Sequence, residues 1–376
     1  MKTSVKRQSN IELLRLLAML GIVLVHIVNH GGIIDLSHPF EGSFIGGWLL
    51  FSPGFCSINI FLLITGYFMV EQRFSTWKIV RLIGQVLFYA LGITILFAIF
   101  SDRTIQGKEM LYSILPVSSD LYWYASMYVA LCLLSPLLNR FIKALTKSQL
   151  KCVCILLFVL FSVWSNVFFY SSALNTAGGV SIAWFVCVYI FGAYIRLYYV
   201  PDGKWGKKLL CSILLLLLLP LSKFFLEWIV TTPVGNIGFL KDLLWGYSIF
   251  YTYSSILVVI VSISVFIAFL NMKIESPFAC RLINVSAGAS FGVYLIHDHM
   301  YMRDNLWNWV GVSDWYSKWY LVPMCLALMI VLYIACMFIE LLRQKLFSLW
   351  EKDSALKRWF LRLDDKLRDK WNGTHL

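Results

Sequence analysis

Long apolar segments recur along the whole chain and are separated by short polar connections. Each apolar run is continuous, which indicates membrane helices, because the strands of a membrane barrel alternate apolar and polar positions. A helix that crosses a bilayer needs about 20 mostly apolar residues. The pattern therefore predicts an all-α integral membrane protein with about ten transmembrane helices. The predicted spans are approximately 11–29, 48–70, 79–100, 121–139, 151–170, 181–200, 209–230, 243–270, 285–301 and 320–342.

The composition agrees with a polytopic membrane protein. Hydrophobic residues make up 60% of the chain and charged residues 14%, whereas soluble domains average roughly 45–50% and about 25%. These proportions exclude a set of soluble domains, a disordered chain and a coiled coil. The nine cysteines include no CxxC pair, which argues against a disulfide framework or a zinc site.

Lysine and arginine positions predict the orientation of the spans. If the N-terminus is cytoplasmic, the cytoplasmic segments hold 25 of these residues and the outer segments hold 6. This excess follows the positive-inside rule and predicts that both termini are cytoplasmic. The net charge of +12 therefore reflects topology, and no nucleic-acid partner is expected. The basic loops also suit an anionic cytosolic ligand.

The chain divides into a membrane-embedded domain, residues 1–345, and a basic cytoplasmic tail, residues 346–376. Apolar residues in the tail recur at helical spacing between charged ones, which predicts an amphipathic helix on the inner membrane surface. They are Leu356, Trp359, Phe360, Leu363 and Leu367. We interpret this helix as an anchor for the tail.

Charged and polar residues inside the first span are candidates for function, because such residues are expensive in a membrane. Arg15 and His26 are eleven residues apart and so share one face, separated by about 16 Å along the axis. Glu12 can pair with Arg15, and His30 lies one turn beyond His26. Arg15 suits a phosphate or carboxylate, and His26 suits a general base. Alternatively, Arg15 extends to the cytoplasm and His26 hydrogen-bonds a neighbouring helix.

The ninth span carries a second polar cluster. Ser290, Tyr294 and His297 lie on one side of the predicted helix. Asp298 and His299 follow directly, and the His-Asp-His run allows a metal site. No further carboxylate or cysteine stands at ligand spacing, so we predict no metal.

These motifs resemble acyltransferase family 3, a family of bacterial multi-pass membrane proteins, over roughly residues 8–345. The start of the chain, from Asn10 to Gly32, is most similar to the branch associated with surface polysaccharides. Two departures are Thr65, where serine is usual, and Leu121, where many relatives have histidine. The similar motifs are Arg15-x10-His26, Phe61-Leu-Leu-Ile-Thr65-Gly66-Tyr67-Phe68, Lys78-Ile-Val-Arg81, Leu121-Tyr122-Trp123-Tyr124 and Ser290-Phe-Gly-Val-Tyr294-Leu-Ile-His297.

The resemblance implies an enzyme of the bacterial inner membrane that transfers an acyl group, often acetyl, to a sugar hydroxyl. The donor would be acyl-CoA, a co-substrate in an enzyme with no bound cofactor, and the acceptor a surface polysaccharide or its lipid-linked precursor. The catalytic candidates are His26, Arg15 and His297. Arg15, Lys78 and Arg81 are candidates for binding the donor. Candidates for binding the substrate are Trp123, Tyr124, Ser290, Tyr294 and His30.

The sequence leaves two points open. The donor is cytosolic, whereas His26 is predicted near the outer end of its span, so the path between them is undefined. A transporter, flippase or polymerase for a glycan also has many spans and buried charges, and a sugar-binding scaffold is a third reading. Glycan-assembly enzymes or a second copy of the chain are possible partners beside the lipid bilayer.

Overall fold

The computed structural model describes residues 7–101, 103–119, 121–167, 174, 176–233, 251–351 and 354–373. Every regular element in these ranges is helical. The main helices are α1 (Ser9–His30), α2 (Gly42–Met69, with a 3-10 turn at Ser52–Phe55), α3 (Thr76–Phe100), α4 (Gly107–Ile114), α5 (Trp123–Ala144), α6 (Lys147–Trp164), α7 (Ile182–Tyr198), α8 (Trp205–Val230), α9 (Ile256–Leu270), α10 (Pro277–His297), α11 (Met300–Val310), α12 (Leu321–Glu351) and α13 (Ala355–Gly373).

Each of the ten predicted spans overlaps an apolar helix of the described chain. Eight of these helices are long and apolar enough to cross a membrane, and α7 and α9 are shorter apolar helices. Residues 243–250 and 168–170 of two predicted spans lie outside the described ranges. The ninth and tenth spans are two that differ from the prediction, since α10 begins eight residues earlier than predicted and ends at His297, and α12 continues nine residues past 342. A serine cap starts this helix, because the Ser276 hydroxyl accepts a hydrogen bond from the Ala279 N–H.

The first helix is the centre of the bundle. It packs against α2, α9, α10 and α12, and eight of its residues are buried. By contrast, α6, α8 and α12 keep most of their side chains on the outside of the protein. The polar stripe on α1 is only partly covered by these helices, because Arg15 and His26 are half-buried and His30 is exposed.

Helices α2 and α7 approach each other through glycine. A Cβ atom on Gly66 would lie 2.1 Å from the Tyr189 carbonyl oxygen, and one on Gly192 would lie 2.3 Å from the Leu63 carbonyl oxygen. Small residues let membrane helices pack backbone against backbone. This crossing therefore fixes the distance between the two helices.

A buried carboxylate joins α3 to α12. Glu340 is 1% exposed and accepts hydrogen bonds from the Tyr89 hydroxyl at 2.6 Å, the Arg343 Nε at 2.8 Å and the Gln85 amide at 3.1 Å. A buried charge is tolerated when it is paired and fully hydrogen-bonded. The network holds the middle of α3 against the last spanning helix.

The terminal helix α13 lies within the tail predicted to be amphipathic. Its Phe360 ring packs on the Trp77 ring of α3, with centroids 6.2 Å apart. Other apolar side chains of the same helix are exposed, namely Leu356, Trp359, Leu361 and Leu367.

The glycine crossing gives a prediction about stability. Gly66→Ala places a methyl group against backbone that has no room to move, so we expect a loss of about 1–3 kcal/mol in the free energy of unfolding. Gly92→Ala in α3 is the matched control, because nothing lies within 4 Å of that position. Thermal unfolding of both purified variants measures the difference. Equal midpoints for the two variants would contradict the close contact.

Candidate active site

A cavity of about 590 Å³ runs through the interior beside α1. Arg15, His26 and His30 line it from this helix. Arg15 and His30 are fifteen residues apart, so the lined stretch of helix is about 22 Å long. Aromatic rings form much of the opposite wall, among them Phe55, Phe61, Trp123, Tyr124, Tyr128 and Tyr253.

A second cavity of about 470 Å³, here named the vestibule, adjoins the first at the Arg15 end. Arg7, Arg73 and Lys78 line it, together with Arg15 and Glu12. The two cavities adjoin because six residues line both, namely Arg7, Arg15, Ile64, Thr65, Leu82 and Tyr128. Arg15 therefore stands where the vestibule meets the main cavity, with its guanidinium bonded to Glu12 at 2.7 Å.

Two histidines from distant helices are hydrogen-bonded at the other end. The Nδ1 of His297 lies 2.6 Å from the Val293 carbonyl oxygen, and a carbonyl only accepts. His297 therefore carries its proton on Nδ1, which leaves Nε2 as an acceptor. The Nδ1–H of His26 donates to that Nε2 at 3.0 Å. This chain leaves the lone pair of His26 on Nε2, as a base requires.

An ion pair lies beside the histidines, and its carboxylate also lines the main cavity. The Asp298 carboxylate is 3.6 Å from His26 Nδ1 and accepts a hydrogen bond from Arg303 Nε at 2.9 Å. Asp298 is buried and follows directly after the end of α10, while Arg303 extends back from α11. If His26 took a proton at Nε2, the nearby carboxylate would stabilise the imidazolium.

His299 has a different environment from the other two histidines of this region. Its Nδ1 accepts the Tyr301 N–H at 3.3 Å and so caps α11. Its Nε2 lies 3.3 Å from the Ala90 carbonyl oxygen and donates to it. Burial lowers the pKa of His299 to about 4. His299 is therefore neutral at pH 7 and holds the start of α11 against α3.

The structure brings most of the sequence-predicted residues to these cavities. Lys78 lines the vestibule, whereas Arg81 lines neither cavity. His297 also stays off the cavity wall and contacts His26 from behind. The predicted residues on the wall of the main cavity are Arg15, His26, His30, Trp123, Tyr124, Ser290 and Tyr294.

Ser290 and Tyr294 differ in whether their hydroxyl groups have a hydrogen-bond partner. The Ser290 hydroxyl lies 3.2 Å from the Tyr333 hydroxyl. The Tyr294 hydroxyl is buried and has no hydrogen-bond partner in the part of the chain that the structure describes. A buried donor without a partner is costly. Tyr294 is therefore available to bind a group that occupies the cavity.

Several residues of the site carry little or no signal in the sequence. Arg303 falls outside the predicted spans, and nothing in its local pattern indicates a partner. Arg7 is one of the basic residues counted on the cytoplasmic side, and it lines both cavities. Gln85 and Tyr128 lie on helices with no recognised motif at those positions. A polar residue within an apolar run was the one signal available for Gln85.

Three ligand-type side chains come together near the histidine pair. His26, His30 and Asp298 offer atoms that lie within 4.8 Å of one another. However, Arg303 donates to the Asp298 carboxylate, and the Nδ1 of His26 is bonded to His297. The positive charge of Arg303 would repel a metal ion, and a ring nitrogen that already donates a hydrogen bond cannot coordinate one. The absence of a metal stays a prediction.

The apolar helices, with a cavity lined by charged and aromatic residues between them, define a multi-pass membrane protein with an interior site. The family model described as an acyltransferase domain matches residues 8–340. Because this match covers most of the chain, the protein belongs to acyltransferase family 3 and is a membrane acyltransferase. Comparisons with curated proteins and with solved structures found no match.

The buried environment of His299 predicts a pH-dependent stability. Its pKa is about 4 in the folded protein and about 6.5 when unfolded. The stabilisation is therefore complete above pH 6.5 and is lost as the pH falls towards 4, by about 3 kcal/mol in total. His299→Asn keeps a capping acceptor but cannot titrate. We expect its thermal midpoint to fall less than the wild-type midpoint between pH 7 and pH 5, and parallel curves would contradict this.

The contacts of Asp298 predict that the purified protein holds no stoichiometric metal. Elemental analysis after purification without chelators should give well under one equivalent of zinc, iron, copper or manganese. His30→Ala and Asp298→Asn should leave the result unchanged. One equivalent of metal that disappears in either variant would establish a metal centre at this cluster.

Proposed function

We propose that this protein is an O-acyltransferase that moves an acyl group, by family resemblance acetyl, from acyl-CoA to a hydroxyl of a surface polysaccharide or its lipid-linked precursor. The adjoining cavities carry the proposal. They extend from a cationic vestibule to a histidine whose Nε2 is left as a base. An anionic donor needs positive charge where its phosphates bind, and a hydroxyl acceptor needs a base where its oxygen attacks. The proposed reaction needs these two properties at opposite ends of one site.

The vestibule suits the donor. A coenzyme A thioester carries several phosphate charges on a long, flexible arm, and fixed guanidinium groups bind phosphate well. Arg7, Arg15, Arg73 and Lys78 line this space. With the phosphates held there, the arm would extend past Arg15 into the main cavity and carry the thioester towards His26. This arrangement supplies a path from the cytosolic donor to the distant histidine.

His26 would act as the general base. Its Nε2 would remove the proton of the acceptor hydroxyl as the oxygen attacks the thioester carbonyl carbon. The carbon–sulfur bond then breaks, the new ester forms, and the thiolate leaves with a proton returned from His26. Asp298 would stabilise the charged imidazole between these two proton transfers, and His297 would hold its orientation. A covalent acyl-histidine is the alternative use of the same nitrogen.

Other residues on the wall of the main cavity are candidates for binding the oxyanion and the acceptor sugar. The Tyr294 hydroxyl is a donor with no described partner, which suits the oxyanion of the tetrahedral intermediate. Ser290 lies one turn earlier on the same helix. Trp123 and Tyr124 are candidates to stack on the acceptor sugar, with His30 contributing a hydrogen bond at the same end.

The proposed topology has ten spans, with α7 and α9 included, and cytoplasmic termini. The positive-inside distribution supports this orientation. It puts the vestibule on the cytosolic side, where acyl-CoA is found, and the histidine pair towards the outer side. A bacterial inner membrane is the location that the family resemblance implies.

A glycan transporter or polymerase is the competing function, since an interior cavity with charged walls also suits transport. The hydrogen-bond chain that leaves a lone pair on His26 Nε2 favours acid–base chemistry. A transporter would change the location of the glycan without forming a new covalent bond.

The role of His26 can be tested on surface glycan. We expect His26→Ala to lower the rate of acyl transfer by about 10²–10⁴-fold, because a general base contributes that much, and so to remove most ester-linked acyl groups from the glycan. Mass spectrometry before and after mild alkali measures the acyl mass. His38→Ala is the matched control, because His38 is exposed and lines neither cavity. This control should retain wild-type acylation.

A deletion strain distinguishes the two functions. Loss of the acyl mass in both the deletion and the His26 variant supports the transferase. If the deletion leaves acylation intact but changes glycan amount or polymer length, the result supports a transporter or polymerase and contradicts the transferase. Normal acylation with His26→Ala at matched expression would remove His26 from the mechanism.

A further inference from the structure

The terminal helix α13 makes a polar contact that neither the family match nor the proposed chemistry explains. Asp364 accepts hydrogen bonds from the Thr76 backbone N–H at 2.7 Å, the Thr76 hydroxyl at 2.6 Å and the Ser75 hydroxyl at 2.9 Å. These donors stand at the start of α3, 288 or 289 residues away in sequence. The Phe360 ring packs on Trp77 beside them.

This contact supplies the N-terminal cap of α3. The first N–H groups of a helix have no partner within the helix, and a carboxylate there also favours the helix dipole. Ser75, at the capping position, makes no capping hydrogen bond of its own. A side chain from another helix therefore does what a local serine or aspartate usually does.

The capped turn is also a wall of the vestibule. Ser75 and Lys78 line that cavity, and Phe74 precedes them on the same wall. Any movement of α13 away from α3 would remove the Asp364 cap from this turn. The position of the terminal helix therefore determines how firmly the vestibule wall is held.

The opposite flank of α13 is apolar, basic and exposed. At 100° per residue, Trp359 lies about 140° around the helix from Asp364. Lys366 lies within about 20° of Trp359, and Arg362 lies within about 60° of it. Trp359 is 57% exposed, and Arg362 and Lys366 are exposed as well. An aromatic residue beside cationic ones is typical of a helix at the surface of an anionic membrane.

We propose that α13 is a latch that binds the anionic lipid surface with its Trp359–Arg362–Lys366 flank and thereby holds Asp364 on the first turn of α3. Charge complementarity identifies the partner, and α12 brings the chain to the membrane just before α13 begins. Lipid contact on one flank is thus coupled to the order of the vestibule wall on the other. The inference is independent of which acyl group or acceptor the enzyme uses.

Hydrogen exchange of the full-length protein in lipid nanodiscs tests both parts. In nanodiscs with about one third phosphatidylglycerol, we expect slow exchange in peptides from α13 and from residues 74–82. In pure phosphatidylcholine, exchange of both peptides should rise about five-fold or more, because the latch is released. Exchange in α13 that is equal in the two lipids would overturn the proposal.

Variants with matched controls test the lipid-facing flank of α13 and its Asp364 flank separately. Arg362→Ala with Lys366→Ala should reproduce the phosphatidylcholine result in anionic nanodiscs, whereas Lys207→Ala with Arg281→Ala, which removes the same charge elsewhere, should not. Asp364→Ala should raise exchange only in residues 74–82 by about five-fold, the size expected for a lost helix cap. Glu275→Ala is its control, since that carboxylate is exposed and lies on the loop before α10. Unchanged exchange at the start of α3 in Asp364→Ala would refute the coupling.

Discussion

The hydrogen bond between His26 and His297 is the contact on which the site depends. A polar ring in an apolar interior must find a partner, and each of these rings satisfies one nitrogen of the other. The Val293 carbonyl fixes the proton of His297 and so fixes that of His26 as well. One backbone carbonyl therefore determines which nitrogen of His26 is available for chemistry. The same contact joins α1 to α10 inside the bundle.

A short segment at the end of α10 supports this pair from several directions. His297 ends the helix, Asp298 approaches His26, His299 caps α11, and Arg303 returns from α11 to the carboxylate. The helix ends here, so successive side chains are free to point in different directions. In a continued helix, Asp298 would point about 100° away from His297. The point at which α10 ends is therefore as important for the site as the sequence motif that this helix carries.

Structural contacts away from the histidines shape the two cavities. The glycine crossing brings α2 and α7 together, and the Glu340 network holds Gln85 on the wall of the main cavity. At the other end, Asp364 holds the first turn of α3 beside the vestibule. Each of these contacts joins residues far apart in sequence. The cavities therefore depend on how distant helices pack.

The sequence by itself determined the ten apolar segments, the Glu12–Arg15 pair and the common face of Arg15 and His26, because helical periodicity and apolar length are local properties. A family resemblance was needed to connect these residues to acyl transfer. Only the tertiary structure decided that His297 stands behind His26, that Arg303 holds Asp298, and that Arg81 lies off the cavities. Contacts between helices have no periodic signature in the chain. They depend on the rotation, depth and end of every helix, which only packing determines.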